Sequence, residues 1–235
     1  MAKKGLIVLV LLAFAAGGIF AQTDFAAMAK NTVTVDLGPT IIGAGIKGLG
    51  KMIDDTGAST SGFGIGVQYE RQLLQRVTVA GRFAYLGGGI GISEEGYSYE
   101  MKLSSFSIEG HGRYYPLRGT FFLDGMLGFA NMTLNLSGKV PVESGNISAS
   151  VKASRGFFKL GAKLGWRICF GKNGGVTFEP SLGYYGGLGF GDTIGKKLSK
   201  AIGEDVTDFD DAFNIIQNII FVGGPRVSLA LGYRF

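Results

Sequence analysis

The chain has 235 residues, of which 41 are glycines and 46% are hydrophobic, and its formal net charge is +5. A single cysteine excludes an internal disulfide, and without a run of five or more basic residues a nucleic-acid partner has no support. One histidine and one cysteine provide no basis for a metal site, and we predict no cofactor.

Residues 1–21 have the pattern of a cleaved export signal. Lys3 and Lys4 are followed by the apolar stretch GLIVLVLLAFAA, and Ala21 is a small residue at the cleavage position. Cleavage after Ala29 is the alternative. The remaining chain, residues 22–235, is predicted to form one domain, and no other apolar run reaches the roughly 20 residues of a membrane helix.

Alternating apolar and polar residues recur eight times between residues 32 and 235, which is the period of a β-strand with one apolar face. The first four runs are TVTVDLGPTII, GFGIGVQYE, VTVAGRFAYL and SFSIEGHGRYY. The last four are FFLDGMLGFA, FFKLGAKLGWRICF, VTFEPSLGYYG and PRVSLALGYRF. In the sixth run, Phe158 and Leu160 are predicted on one face and Lys159 and Lys163 on the other.

The connections between these runs alternate between short and long. RQLLQR, PLRG and GKNGG are tight turns, whereas residues 43–60, 87–103, 131–156 and 187–220 are predicted as loops 1 to 4. Short turns at one end, long loops at the other and aromatic rings near both strand ends are typical of a membrane barrel. We therefore predict an all-β fold, an eight-stranded antiparallel up-and-down transmembrane β-barrel with short periplasmic turns and long surface loops.

The inward faces of such a barrel must fill a lumen only wide enough for side chains. Buried charges are tolerated when they are paired, and the predicted inward faces carry both signs. We therefore predict a lumenal ion-pair network that plugs the barrel. Its principal members are Glu70, Arg82, Glu109, His111, Arg113, Asp124, Lys163, Arg167, Glu179 and Arg234, with Asp36, Lys159 and Arg226 facing the same way.

Two features that suggest cofactor binding or catalysis have simpler explanations. GAGIKG, residues 43–48, matches a dinucleotide fingerprint, but barely two helical turns could follow it, so we predict a surface loop. A hydrolase would need a nucleophile beside a base, and His111 is the only histidine. Because the strand phase places His111 in the lumen, we predict no enzymatic activity.

Loops 3 and 4 carry further patterns. After residue 130 the apolar positions shift to Met132, Leu134 and Leu136, which suggests a β-bulge near Asn131 and a hairpin that projects above the surface. Loop 4 has apolar residues at helical spacing, which predicts a short amphipathic helix at the barrel mouth. An extra strand pair in this loop, giving ten strands, is the alternative.

The segments FFLDGMLGFA, VTFEPSLGYYG and SLALGYRF resemble the small eight-stranded outer-membrane barrels of diderm bacteria, the OmpA/OmpX/OmpW type. The resemblance implies export through the periplasm and residence in the outer membrane, in contact with its lipid and with lipopolysaccharide or an equivalent glycolipid. It also implies that the barrel-assembly machinery recognises a last strand ending in aromatic residues. The residues of that signal are Leu229, Leu231, Tyr233 and Phe235.

The resemblance favours a small channel or structural protein of the OmpW type, which would pass small, often hydrophobic molecules. The apolar residues of loop 4 could line a lateral exit above the plug. The alternative is a surface-exposed adhesin or host-interaction protein that acts through loops 3 and 4, since a projecting hairpin would be accessible from outside. No pattern identifies the ligand.

Overall fold

The computed structural model of the chain describes residues 30–40, 43, 58–94, 97–116, 120–142, 145–171, 174–193, 196–197, 200 and 223–235. The strands are β1 (Asn31–Asp36), β2 (Ala58–Leu74), β3 (Val77–Glu94), β4 (Tyr97–Tyr114), β5 (Phe121–Val142), β6 (Gly145–Trp166), β7 (Ile168–Phe170), β8 (Gly175–Phe190) and β9 (Gly223–Arg234). Residues 38–40, 43, 196–197 and 200 are helical. The predicted export signal and both of its cleavage sites lie outside the described residues.

The described strands form a closed antiparallel ring. Each strand pairs with its neighbours along the chain, except that β6 and β7 both pair with β8, and β1 pairs with β9 to close the ring. At this seam the backbones of Asn31 and Phe235 exchange hydrogen bonds of 3.0 and 2.9 Å. Strand β7 continues β6 beyond Arg167 with the same register against β8, so β6 and β7 count as one strand of the ring. The predicted eight-stranded up-and-down barrel is confirmed.

Exposure alternates along the strands with the predicted phase. On β4, Phe106 and Ile108 point out of the barrel, whereas Ser107 and Glu109 are buried inside it. The outward apolar side chains are far from covered, and Ile108 is 58% exposed. In water each Å² of such surface would cost about 25 cal/mol, whereas hydrocarbon accepts it without that penalty. The ring therefore presents its apolar face to lipid.

Along β4, β5 and β6, the apolar side chains move from the outward positions to the inward positions, while the pairing register stays the same. On β5 the outward Phe129 is followed by the outward Asn131, while the inward Met132 and Leu134 are fully buried. The pairing of β5 with β6 is unbroken, so the β-bulge predicted near Asn131 is wrong. Lipid surrounds the lower part of the strands and water the upper part, so the apolar side chains turn inward above this boundary.

The segments predicted as loops 2 and 3 are mostly strand. Pairing between β3 and β4 continues to Glu94 and Tyr97, and pairing between β5 and β6 continues to Val142 and Gly145. Strands β3 and β4 have 18 residues each, and β5 and β6 have 22 each. About 9–11 residues are enough for a tilted strand to cross the hydrocarbon. The predicted projecting hairpin is therefore present, and β5 and β6 form it.

The first strand ends earlier than predicted because the chain turns into the barrel. The alternating pattern ran on to residue 42, but β1 ends at Asp36, whose carboxylate accepts a hydrogen bond of 2.8 Å from the Gly38 N–H. The Thr40 hydroxyl then donates to the Gly64 carbonyl at 2.8 Å. A Cβ atom at Gly64 would overlap the carbonyl of Pro39, so this close approach requires glycine.

The same inward turn changes the interpretation of GAGIKG. Its first residue, Gly43, is buried against the backbone of Phe63, and a Cβ atom on Gly62 would overlap the Gly43 carbonyl. Gly43 therefore packs on the inward face of β2, and the prediction of a surface loop is wrong for this residue. Residues 44–48 lie outside the described part of the chain.

Little of loop 4 is described. The Thr193 hydroxyl accepts a hydrogen bond of 3.2 Å from the Lys196 N–H, as at a helix N-terminus. The Lys197 ammonium donates to the Ser154 carbonyl on β6 at 2.5 Å, which ties this loop to the hairpin. Within the described ranges no helix has the length and hydropathy needed to cross a membrane. The apolar residues of the predicted amphipathic helix, Ile194, Leu198, Ile202, Phe209, Phe213 and Ile216, lie outside those ranges.

Candidate functional site

Two arginines and two glutamates form the centre of a buried ion-pair network near the short turns. Arg167 donates two hydrogen bonds of 2.7 Å to Glu70 and one of 2.5 Å to Glu179. Arg113 contacts Glu70 at 2.6 Å and Glu179 at 2.9 Å. All four side chains are almost fully buried. Each arginine therefore faces both carboxylates, and charge-assisted hydrogen bonds offset the loss of hydration.

Two aromatic rings and one amide complete this centre, and none of the three was among the predicted network residues. The Arg113 guanidinium lies 4.6 Å from the centre of the Phe122 ring. The Tyr115 hydroxyl donates to Glu70 at 3.1 Å, and the Gln68 amide oxygen accepts from Arg113 at 3.3 Å. Gln68 and Phe122 lie in the inward phase of β2 and β5, and Tyr115 directly follows β4 in the inward phase of that strand. That phase is the signal that could have identified them.

A second group of ion pairs lies on the extracellular side of the first. Arg82 on β3 pairs with Asp36 on β1 at 2.7 Å and with Glu109 on β4. Lys159 on β6 also pairs with Glu109. The Ser228 hydroxyl on β9 donates to Asp36 at 2.9 Å. These contacts join five strands of the ring across the lumen.

His111 and Asp124 connect the two groups. Asp124 accepts a hydrogen bond of 2.6 Å from Arg113, lies 2.9 Å from His111 Nδ1, and pairs with Lys163 at 3.4 Å. His111 Nε2 lies 3.5 Å from a Glu109 carboxylate oxygen. The described residues contain no cluster of metal-ligating side chains, and His111 lies between two carboxylates of the network.

Among the described residues, five acidic and five basic side chains thus pair within the lumen. They are Asp36, Glu70, Glu109, Asp124 and Glu179 against Arg82, Arg113, Lys159, Lys163 and Arg167. Arg234 is also buried and donates to the Gln72 amide oxygen at 3.3 Å. The Arg226 side chain lies outside the described part of the structure. The charges of these ten residues cancel formally, and Arg234 adds one positive charge near the same end of the lumen.

Above the network the lumen is filled by apolar side chains. Leu86, Met132, Leu134 and Phe157 form a buried cluster with Ala130 and Ala153. The inward turn described above covers the adjacent face of β2. Side chains therefore occupy two successive layers of the described lumen. The lower layer is charged, and the upper layer is mainly apolar, with the Arg155 guanidinium 5.4 Å from the centre of the Phe157 ring.

An aromatic belt lies on the outer surface of β2, β3, β4, β5 and β8, at the level where the faces change chemistry. It consists of the outward residues Phe63, Tyr85, Phe106, Phe129 and Phe190. The rings of Phe106 and Phe129 lie 6.2 Å apart, and those of Phe129 and Phe190 lie 5.6 Å apart. Phe190 reaches Phe129 across Gly156, where a Cβ atom would overlap its ring. The belt marks the extracellular boundary of the hydrocarbon.

A cavity of about 770 Å³, here called the outer groove, lies directly above this belt. Phe63 and Tyr85 of the belt line it on one side. Its polar lining comes from outward residues of β2, β4, β5 and β6, namely Ser61, Lys102, Ser104, Thr133, Asn135 and Lys152. The outer surface above the belt is therefore concave, and polar side chains lie beside two aromatic rings in it.

The proposed assembly signal lies on the outward face of β9. Leu231, Tyr233 and Phe235 are exposed on the lipid side, with Leu229 partly covered in the same phase. Strand β9 pairs with β1 and β8, so these residues lie at the seam where the ring closes.

An antiparallel ring with an apolar outer surface, a charged lumen and an aromatic belt defines an integral outer-membrane β-barrel. A family model for the autotransporter beta-domain matches residues 43–187, which is more than half of the chain. The chain belongs to the autotransporter beta-domain family, and it is a protein of the bacterial outer membrane.

Three solved structures to which the chain is similar are bacterial outer-membrane barrels. Ail, the attachment invasion locus protein of Yersinia pestis, in complex with the heparin analogue sucrose octasulfate, is 13% identical over 88% of this chain and 99% of its own, with a TM-score of 0.48. CarO of Acinetobacter baumannii is 14% identical over 77% and 97%, with a TM-score of 0.36. The translocator domain of the autotransporter NalP of Neisseria meningitidis is 12% identical over 100% and 96%, with a TM-score of 0.24. No curated protein sequence matches the chain.

Proposed function

We propose that this protein is a plugged outer-membrane barrel that binds partners at the cell surface through its β5–β6 hairpin. The observation that carries the proposal is that this hairpin is long and that its two strands stay paired over its whole length. Beyond the aromatic belt, residues 131–142 and 145–156 remain paired as strands, which corresponds to about 40 Å of extended chain. Such a platform is accessible from outside the cell.

The packing of the hairpin supports a rigid rather than a flexible binding surface. Its inward side chains Met132 and Leu134 are fully buried, and its outward positions carry hydroxyl, amide and charged groups. A surface with fixed polar groups loses little conformational entropy when a partner binds. We propose no catalytic role for it.

An OmpW-type channel for small hydrophobic molecules is the second candidate. The apolar cluster of Leu86, Met132, Leu134 and Phe157 supports it, because an apolar upper lumen suits such a molecule. The ion-pair network below weighs against passage along the axis, so a channel of this type would need a lateral exit. Kinship with the OmpA/OmpX/OmpW barrels remains a proposal that rests on the resemblance of the strands.

Planar-bilayer recordings distinguish the two candidates. We expect the refolded protein to show no unitary conductance, because the neutral ion-pair network occupies the lumen. A refolded porin reconstituted in parallel is the positive control. Regular conductance steps that persist in the wild-type protein would favour the channel.

Shortening the hairpin tests the binding role directly. Replacing residues 137–150 by Asn-Gly leaves Leu136 and Val151 as the last pair and preserves the register. The matched control replaces residues 93–98 by Asn-Gly in the β3–β4 hairpin, after the pair Ile92 and Tyr99. Cells that display each variant are applied to an array of glycans and extracellular-matrix proteins.

We expect the shortened β5–β6 hairpin to lower cell binding at least tenfold and the shortened β3–β4 hairpin to leave it within twofold. Equal binding by both variants, or no binding by cells with the unmodified protein, would refute the proposed function. The difference in gel migration between unheated and heated samples checks that both variants form barrels.

A further inference from the structure

The outer groove contains a regular arrangement of polar side chains. Outward residues of β4, β5 and β6 face one another in register, so they form rows across the three strands. The row just above the belt consists of three hydroxyl residues, and the next row places an asparagine between two lysines. These rows are Ser104, Thr133 and Ser154, of which Ser154 lies beside the groove and not in its lining, and then Lys102, Asn135 and Lys152.

The two lysines place two positive charges in one row of the groove. Neighbouring strands are about 4.8 Å apart, so the backbones of Lys102 and Lys152 are separated by about 10 Å with Asn135 between them. Their long side chains can converge above the asparagine. Lys102 contacts the exposed Glu100 at 2.7 Å, whereas no described carboxylate pairs with Lys152. The row therefore keeps a net positive charge that an anion would neutralise.

The depth of this row identifies the source of the anion. Lys102 lies four residues beyond Phe106 on β4, which is about 13 Å along a tilted strand. The belt residue marks the end of the hydrocarbon, so the ammonium groups stand roughly 10 Å above it, at the level of lipid headgroups. A membrane lipid reaches this point from its own leaflet, while its acyl chains cover the apolar strands below.

We propose that the outer groove binds the phosphorylated, sugar-bearing headgroup of an anionic glycolipid in the outer leaflet. A phosphate placed between Lys102 and Lys152 forms charge-assisted hydrogen bonds with both ammonium groups. The hydroxyl row and Asn135 offer donors and acceptors to sugar hydroxyls. Phe63 and Tyr85 contact the apolar part of the headgroup at the base of the groove. This binding site is separate from the proposed surface-binding role of the hairpin tip.

Binding of fluorescent bisphosphorylated lipid A to the refolded full chain in detergent micelles tests this proposal. The test variant is K102Q/K152Q. The control variant K30Q/K139Q removes the same two charges at exposed positions outside the lysine row. Binding is also measured with dephosphorylated lipid A as the ligand, and with an excess of inorganic phosphate as the competitor. The hairpin-shortened variant described above shows whether the hairpin tip contributes to lipid A binding.

We expect K102Q/K152Q, and removal of the lipid phosphates, each to weaken binding at least tenfold, with K30Q/K139Q within twofold of the wild type. Excess inorganic phosphate should leave lipid A bound. Unchanged binding by K102Q/K152Q, or by dephosphorylated lipid A, would overturn the proposal. Complete displacement by inorganic phosphate would also overturn it, because the site would then accept a free anion. Retained binding by the hairpin-shortened variant would support it independently of the surface-binding role.

Discussion

Replacing Glu70 by alanine is expected to lower the free energy of unfolding by about 3–5 kcal/mol. The Glu70 carboxylate accepts hydrogen bonds from Arg113 at 2.6 Å and from Arg167 at 2.7 Å, and from the Tyr115 hydroxyl at 3.1 Å. Its removal leaves two fully buried arginines with only part of their compensating charge. A buried charge without its partner costs far more than the pair contributes when both are present.

The matched control is Glu100→Ala, which also removes one carboxylate from an ion pair. Glu100 and its partner Lys102 are exposed, with side-chain exposures of 43% and 58%. Exposed pairs contribute about 0–1 kcal/mol, so this variant should unfold almost like the wild type. The free energies of unfolding of both variants are measured by urea unfolding in lipid vesicles. The fluorescence of Trp166, the single tryptophan, reports the transition. Similar losses for the two variants would contradict a buried network centred on Glu70.

We also expect a large effect from replacing Gly64 by alanine, which should destabilise the barrel by about 1–3 kcal/mol. The added methyl group would overlap the carbonyl of Pro39 in the turn that enters the lumen. Either this turn moves away from β2 or the strand backbone shifts. Both responses break the hydrogen bond from Thr40 to the Gly64 carbonyl.

Gly81→Ala is the control for the effect of a methyl group on a barrel strand. Gly81 lies on the outward face of β3, and a Cβ atom there meets no atom within 4 Å. The same urea titration should therefore show a stability within about 0.5 kcal/mol of the wild type, as for substitutions that disturb no packing. If Gly81→Ala were as destabilising as Gly64→Ala, the inward turn would not explain the glycine.

The architecture was predictable from the sequence because the membrane imposes one strong rule. Side chains such as Leu160 and Lys159 must face lipid and lumen in alternation, so a period of two identifies each strand and its inward face. That phase placed Glu70, Arg113 and Arg167 in one lumen. It could not specify which charges touch, because partner choice depends on strand stagger around the closed ring.

The errors arose where the environment changes along a strand. Above Phe129 the outside is water instead of lipid, so the apolar residues Met132 and Leu134 occupy the inward positions of an unchanged register. A pattern of alternate residues cannot distinguish this change of surroundings from a β-bulge. The inward turn at Pro39 was missed for a related reason, since its packing against Gly64 is a long-range contact with no local signature.

Alternate residues of the strands face lipid around a filled lumen. The most direct test of this arrangement is the oxygen accessibility of spin labels along β5, which electron paramagnetic resonance measures in lipid vesicles. Labels at Leu123, Leu127 and Phe129 are compared with labels at Phe122, Met126 and Ala130, in a Cys169→Ser background. We expect high accessibility to dissolved oxygen for the first set and low accessibility for the second. Equal accessibility of both sets, or the opposite order, would contradict the barrel described here.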